Sequence, residues 1–152
     1  MGVLTRDEAL FPIVLNKGTS VTDQDLEDSI TGLEAVASRA RLEGKYFVSI
    51  TLEGDSLGAT QRKTFAARVA KADPVLAERL VVSIIIITNP VKRGALTALL
   101  WLVGQKPETR VCGDARVALE IAERALAAKG QHVPPECTPE YVAAFDRKIV
   151  AA

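Results

Sequence analysis

The sequence is poor in the side chains that most catalytic and metal-binding chemistry needs. It holds one histidine, His132, and two cysteines, Cys112 and Cys137, with no C-x-x-C spacing. That excludes a disulfide framework and argues against a structural zinc site, and it suits a reducing, cytoplasmic compartment. Neither sign of charge is in excess. With 19 basic residues against 19 acidic ones, nothing steers the chain toward a nucleic acid backbone or an anionic membrane surface. Long apolar runs are missing too: residues 80–88 and 95–103 are the longest, each far short of the roughly 20 residues of a membrane span. The opening stretch, MGVLTRDEALFP, places Asp7 and Glu8 ahead of any apolar run and does not read as a signal peptide. Phosphate cradles are also lacking. There is no G-x-x-x-x-G-K-[ST], and residues 17–22 read K-G-T-S-V-T rather than G-x-G-x-x-G, so no cofactor and no metal is expected.

What is present alternates. FPIVLN, residues 11–16, reads as a first strand, and Thr22 then caps a helix whose Leu26, Ile30, Leu33, Ala37 and Ala40 recur at helical spacing up to Gly44. KYFVSITLE, residues 45–53, reads as a second strand, and residues 59–72 as a second helix. Asp73-Pro74 restarts a short helix. VVSIIIIT, residues 81–88, is almost continuously β-branched, which predicts a strand central in the sheet and apolar on both faces. Asn89 and Pro90 open a helix running to Gly104, apolar nearly all round and therefore expected to be deeply covered. TRVCG, residues 109–113, is a fourth strand, and Asp114 caps a helix ending near Gly130. Such alternation predicts one α/β domain over residues 1–130, with a four- or five-stranded, mostly parallel or mixed sheet and helices on its faces. QHVPPECT, residues 131–138, reads as a linker. Tyr141, Val142, Phe145 and Ile149 then form the apolar stripe of a last helix, which either packs on the same domain or is an interface for a partner or a second copy.

EGDSLGA, residues 53–59, admits three chemistries. Gly54, Ser56 and Gly58 fit the G-x-S-x-G frame of a hydrolase elbow, while Asp55, Ser56 and Gly58 fit a D-S-x-G regulatory turn. The third reading is a glycine-flanked turn between strand and helix. A serine nucleophile needs a base and an orienting acid. His132 is the only candidate base, and although Ser56, Asp114 and His132 follow the chain order of α/β-hydrolases, the D-x-x-H frame of GDSL enzymes would need Asp where Lys129 stands. No catalytic residue is assigned. The helix start at Asn89, with Lys92 and Arg93 beside it, is a candidate contact for an anion or a partner.

R-G-A-L-T-A-L-L-W at 93–101, P-E-T-R-V at 107–111 and the D-A-R-V-A-L-E helix at 114–120 together resemble small bacterial proteins of the SpoIIAA/STAS-like class. The apolar strand before them and Q-R-K-T-F at 61–65 are also similar. The resemblance implies alternating strands and helices around a four- or five-stranded mixed sheet, and a non-catalytic regulatory role in bacterial signalling. In that class the D-S-x-G turn, here Asp55, Ser56 and Gly58, carries the phosphorylatable serine. Phosphoregulated members place an additional short strand before the turn, whereas here Gly54 comes directly after the second strand and only one strand separates the first two helices. The expected function is a protein-interaction or regulatory module, acting on a protein partner or by self-association. A binder of a small apolar or lipid-like ligand is the alternative, and a serine hydrolase using Ser56 the third.

Overall fold

In the computed structural model, which describes residues 3–19, 22–52, 67–68, 71–103 and 108–151, five strands form one mixed sheet in sequence order. They are β1 (Val3–Asp7), β2 (Ile13–Thr19), β3 (Phe47–Leu52), β4 (Leu80–Ile86) and β5 (Thr109–Cys112). β1 runs antiparallel to β2, and β2 to β5 are mutually parallel. The described helices are α1 (Asp23–Leu42), α2 (Pro74–Arg79), α3 (Pro90–Val103), α4 (Ala115–Ala127) and α5 (Pro139–Ala151). The fold is therefore α/β with a five-stranded mixed sheet, as the alternation predicts.

Local signals explain where the helices start. At α1 the Thr22 hydroxyl accepts from the Asp25 N–H while the Asp25 carboxylate accepts from the Thr22 N–H at 2.8 Å, a reciprocal capping box. The chain leaves that helix through Gly44 at φ +67°, a left-handed conformation that favours glycine. Asp73 caps α2, with Pro74 at its first position, and Asp114 caps α4 through the Val117 N–H at 2.9 Å. The segment at 59–72 expected to form a helix falls largely outside the described residues.

Helices cover the two sheet faces differently. α4 and α5 pack over Ile13, Leu15, Val48, Ile50, Val82, Ile84 and Ile86, joined there by Val142 and Phe145 of α5 itself. α1 and α2 pack over Val14, Phe47 and Leu80 on the opposite face. A register shift between Phe47 and Val48 lets Leu80 face α1 and α2 while Val82, two residues on, faces α4.

Three expectations need correction. First, β1 was not expected: VLTRD is too short and polar to stand out as a strand, yet its pairing with β2 makes the sheet five-stranded. Second, β4 has strands on both sides but is not covered on both faces, since Leu80, Val82, Ile84 and Ile86 are buried while Val81, Ser83 and Ile85 are only half-buried. Third, the first half of α3 is not deeply covered. Val91 is 81% exposed, and Gly94, Ala95, Thr97 and Ala98 are exposed as well.

The amino edge of the sheet is tied shut by side chains. The Gln131 amide accepts from the Tyr46 N–H at 2.8 Å and donates to the Tyr46 carbonyl at 3.0 Å, as a neighbouring strand would. Arg79 and Lys129 lie 4.7 and 4.8 Å from the centre of the Tyr46 ring.

Candidate functional site at the carboxyl edge of the sheet

Parallel pairing lines up the strand ends. Lys17 of β2 pairs with Leu52 of β3, Leu52 with Ile86 of β4, and Ile86 with Cys112 of β5. In open α/β sheets ligands bind outside the carboxyl ends of the strands, where the order of the strands reverses; here the strands run in sequence order, so the edge is a candidate on its residues alone. Asp55, Ser56 and Gly58 lie outside the described residues. Leu52, however, precedes Asp55 by three positions, and its partner Ile86 precedes Asn89 by three. The two strands that precede the candidate segments in sequence thus end at paired positions.

The second segment is built from the start of α3. Asn89 Oδ1 accepts from the N–H groups of Val91 at 2.9 Å and Lys92 at 3.2 Å, which makes Asn89 the cap. Arg93 turns back onto the sheet, where its Nη1 donates to the Ile87 carbonyl at 3.1 Å. It also lies against Gly113, where a Cβ would come within 2.6 Å of that nitrogen. Arg93 therefore bridges the ends of β4 and β5 and orients the first turn of α3. Exposed Val91 and Lys92 are what this turn presents to solvent. Cys112 just below is buried; burial pushes its thiol up, away from the reactive thiolate, and its Sγ lies 3.5 Å from the Asp114 carbonyl.

The residues of a hydrolase triad are not brought together. Asp114 sits at the carboxyl edge, where its carboxylate caps α4. His132 follows Gln131, whose contact with Tyr46 places it at the amino edge, and the 13 residues of α4 separate the two by about 20 Å. There His132 Nδ1 lies 2.6 Å from Glu123 Oε1. Hydrogen bonds from His132 and from the Val133 N–H hold the Glu123 carboxyl below its usual range. Among the described residues no group of three His, Cys, Asp or Glu is placed to hold a metal ion.

Of the last helix's candidates, Val142 and Phe145 are buried in the domain's own core, and the Tyr141 hydroxyl donates to Asp7 at 2.7 Å. The side chain of Ile149 lies outside the described residues. A polar chain with no local mark in the sequence runs between β1, β2 and β3. Arg6 Nε donates to Asn16 Oδ1 at 2.7 Å, Asn16 Nδ2 donates to Ser49 Oγ at 2.9 Å, and Arg6 Nη2 reaches the Ser29 carbonyl at 2.8 Å. Gly32 makes room for it, since a Cβ there would fall 2.0 Å from Arg6 Nη1. Arg6, Ser29, Asp25 and Asp28 line a cavity of about 180 Å³. No sequence signal pointed to this chain because Arg6 belongs to the strand that was not expected.

No family model, no curated protein and no solved structure matches this chain.

Proposed function

We propose that this protein is a non-catalytic protein-interaction or regulatory module of SpoIIAA/STAS-like type, acting in bacterial signalling in the cytoplasm, whose partner docks at the carboxyl edge of the sheet. The pairing of Leu52 with Ile86 supports this reading: the strand whose sequence continues to Asp55, Ser56 and Gly58 lies beside the strand whose sequence continues to Asn89, Lys92 and Arg93. Both cysteines are free thiols, in keeping with a reducing compartment, and among the described residues no helix is long and apolar enough to cross a membrane. The separation of Asp114 from His132 favours a non-catalytic role. The cavity beside Arg6 is lined by charged and hydroxyl side chains and lends no support to an apolar ligand.

A phosphate on Ser56 would add negative charge to the segment that follows β3, altering the surface a partner meets. The test is affinity capture of partners from a bacterial lysate by the full chain, by Ser56→Asp and by Val91→Asp. A partner retained by the full chain and released by both variants is the expected result. A partner indifferent to both substitutions, or ester hydrolysis that vanishes in Ser56→Ala, would overturn the reading.

A further inference from the structure

We infer that the cavity between β1 and the first two turns of α1 binds a small zwitterion, a molecule carrying both a carboxylate and an ammonium group, such as a free amino acid. The site uses none of the residues of the docking reading and stands independently of it. Arg6 supplies the positive wall. Its Nε donates to Asn16 Oδ1 at 2.7 Å, and its Nη2 to the Ser29 carbonyl at 2.8 Å and the Ser29 hydroxyl at 3.0 Å. All three acceptors are neutral. None of the ion pairs among the described residues includes Arg6. Glu8, the carboxylate whose charge reaches it, is itself paired with Arg39 at 2.7 Å. Burial accordingly pushes the guanidinium below its usual range. Its Nη1 is reached by solvent and bonds to no described residue. The protein thus holds a cation rigidly in place and leaves one end of it without an acceptor.

The negative wall comes from α1. Asp25, Asp28, Ser29 and Gly32 recur at spacings of three and four and share the helix face turned to Arg6. Asp25 Oδ2 accepts from the Thr22 N–H and hydroxyl at 2.8 and 2.9 Å, and Asp28 Oδ1 accepts from Gln24 at 2.8 Å. Each carboxylate therefore keeps one oxygen with no hydrogen bond to a described residue, and neither forms an ion pair with Arg6. The two signs line one cavity of about 180 Å³ without neutralising each other. A simple anion would meet two carboxylates there, and a simple cation would meet Arg6. A zwitterion complements both walls. The volume suits a molecule of amino-acid size, since drug-sized ligands occupy roughly 300–1,000 Å³. A carboxylate on Nη1 gains a charge-assisted hydrogen bond, and the three bonds that already fix Arg6 reduce the side-chain freedom lost on binding.

The test is titration of the full chain with glycine and with β-alanine, whose charges stand farther apart, followed through the backbone amide NMR signals of residues 25–32. Saturable shifts centred on Asp28, Ser29 and Gly32 at millimolar ligand are expected with at least one of the two, and the tighter binder sets the separation of charges. N-acetylglycine, which lacks the ammonium, and glycine methyl ester, which lacks the carboxylate, are expected to leave those signals in place. No saturable response to either zwitterion overturns the proposal, as does equal binding of either singly charged derivative. Asp28→Asn removes one carboxylate from an exposed position and should fold normally by circular dichroism, with affinity lowered roughly tenfold or more. Unchanged affinity in that variant also overturns the proposal.

Discussion

The two faces of the sheet share their strands but not their cover. Under α4 and α5 the face is closed from β2 to β4, with Ile13, Val48, Ile50, Val82 and Ile84 essentially inaccessible. Under α1 and α2 the β2–β3 half is closed, whereas Ser83 and Ile85 of β4 and Thr109 and Val111 of β5 are only half-buried. Polar groups also divide between them. The first face ends in one ion pair, Lys17 with Asp146, while the second holds the chain Arg6–Asn16–Ser49 in its interior. The lesson is that β-branched composition makes a strand, but coverage depends on which helix arrives above it. The apolar face is the store of stability. The other face is held in register by directional polar bonds that tolerate fewer exchanges.

The largest effect should separate neighbouring residues of one strand. Ile84→Asp places a carboxylate in the closed face, at a cost of several kcal/mol, and should leave the chain unfolded at ordinary temperature. Ile85→Asp points to the half-open face and should remain folded with a lowered melting temperature. Circular dichroism melts of both decide it, and equal losses would erase the distinction between the faces.

Next comes Asn16→Ala, which leaves Arg6 Nε and Ser49 Oγ without their partners. Unfolding in urea should show a loss of about 1–3 kcal/mol. A loss under about 0.5 kcal/mol would mean that water replaces the amide and that this face is wetter than described.

Alkaline pH acts on the closed face. The hydrogen bond from Tyr141 to Asp7, ahead of burial, pushes the Tyr141 hydroxyl up to about 12 from 10.0, and burial pushes the Cys137 thiol up to about 11 from 9.0. Both folded-state values exceed the unfolded ones, so the stability they contribute is fully present below pH 9. It is then lost as pH rises from 9 to 11 for Cys137 and from 10 to 12 for Tyr141. The urea midpoint should fall over that range, and Tyr141→Phe should flatten its upper part. A midpoint indifferent to Tyr141→Phe above pH 10 would argue that α5 is not tied to β1 through this bond.

The smallest effect sharpens the polar chain. Gly32→Ala intrudes on Arg6 Nη1, the far end of a long side chain that shifts at modest cost, so a loss of about 1 kcal/mol is expected. In an Arg6→Ala background the same substitution should be neutral or slightly stabilising, because alanine favours the helix. Additive losses would show that Gly32 serves another purpose.

The alternation of β2 to β5 with helices was legible because each strand and each cap leaves a local mark: Thr22, Asp73, Asn89 and Asp114 all cap where their sequence context suggests. β1 was not legible. Its stability comes from pairing with β2 rather than from its own five residues, and with it went Arg6 and the polar chain. The apolar run of α3 likewise promised burial, yet Val91 and Ala98 face solvent, since composition sets what a helix offers and not what comes to meet it. For the candidate site, both segments were visible in the sequence. That the strands leading to them end at paired positions was not, because it depends on the register of Leu52 against Ile86.

The contacts that fasten α5 join distant parts of the chain, and this has a consequence for synthesis. Asp146 is 129 residues from Lys17, and Tyr141 is 134 from Asp7. At roughly 5–20 residues per second, a ribosome needs on the order of 6–26 s between making Lys17 and making Asp146. From its emergence until α5 is made, the β1–β2 hairpin carries Ile13, Leu15 and Lys17 without the helix that closes over them. On that side the nascent chain is thus an apolar surface marked by a positive charge until its last helix arrives.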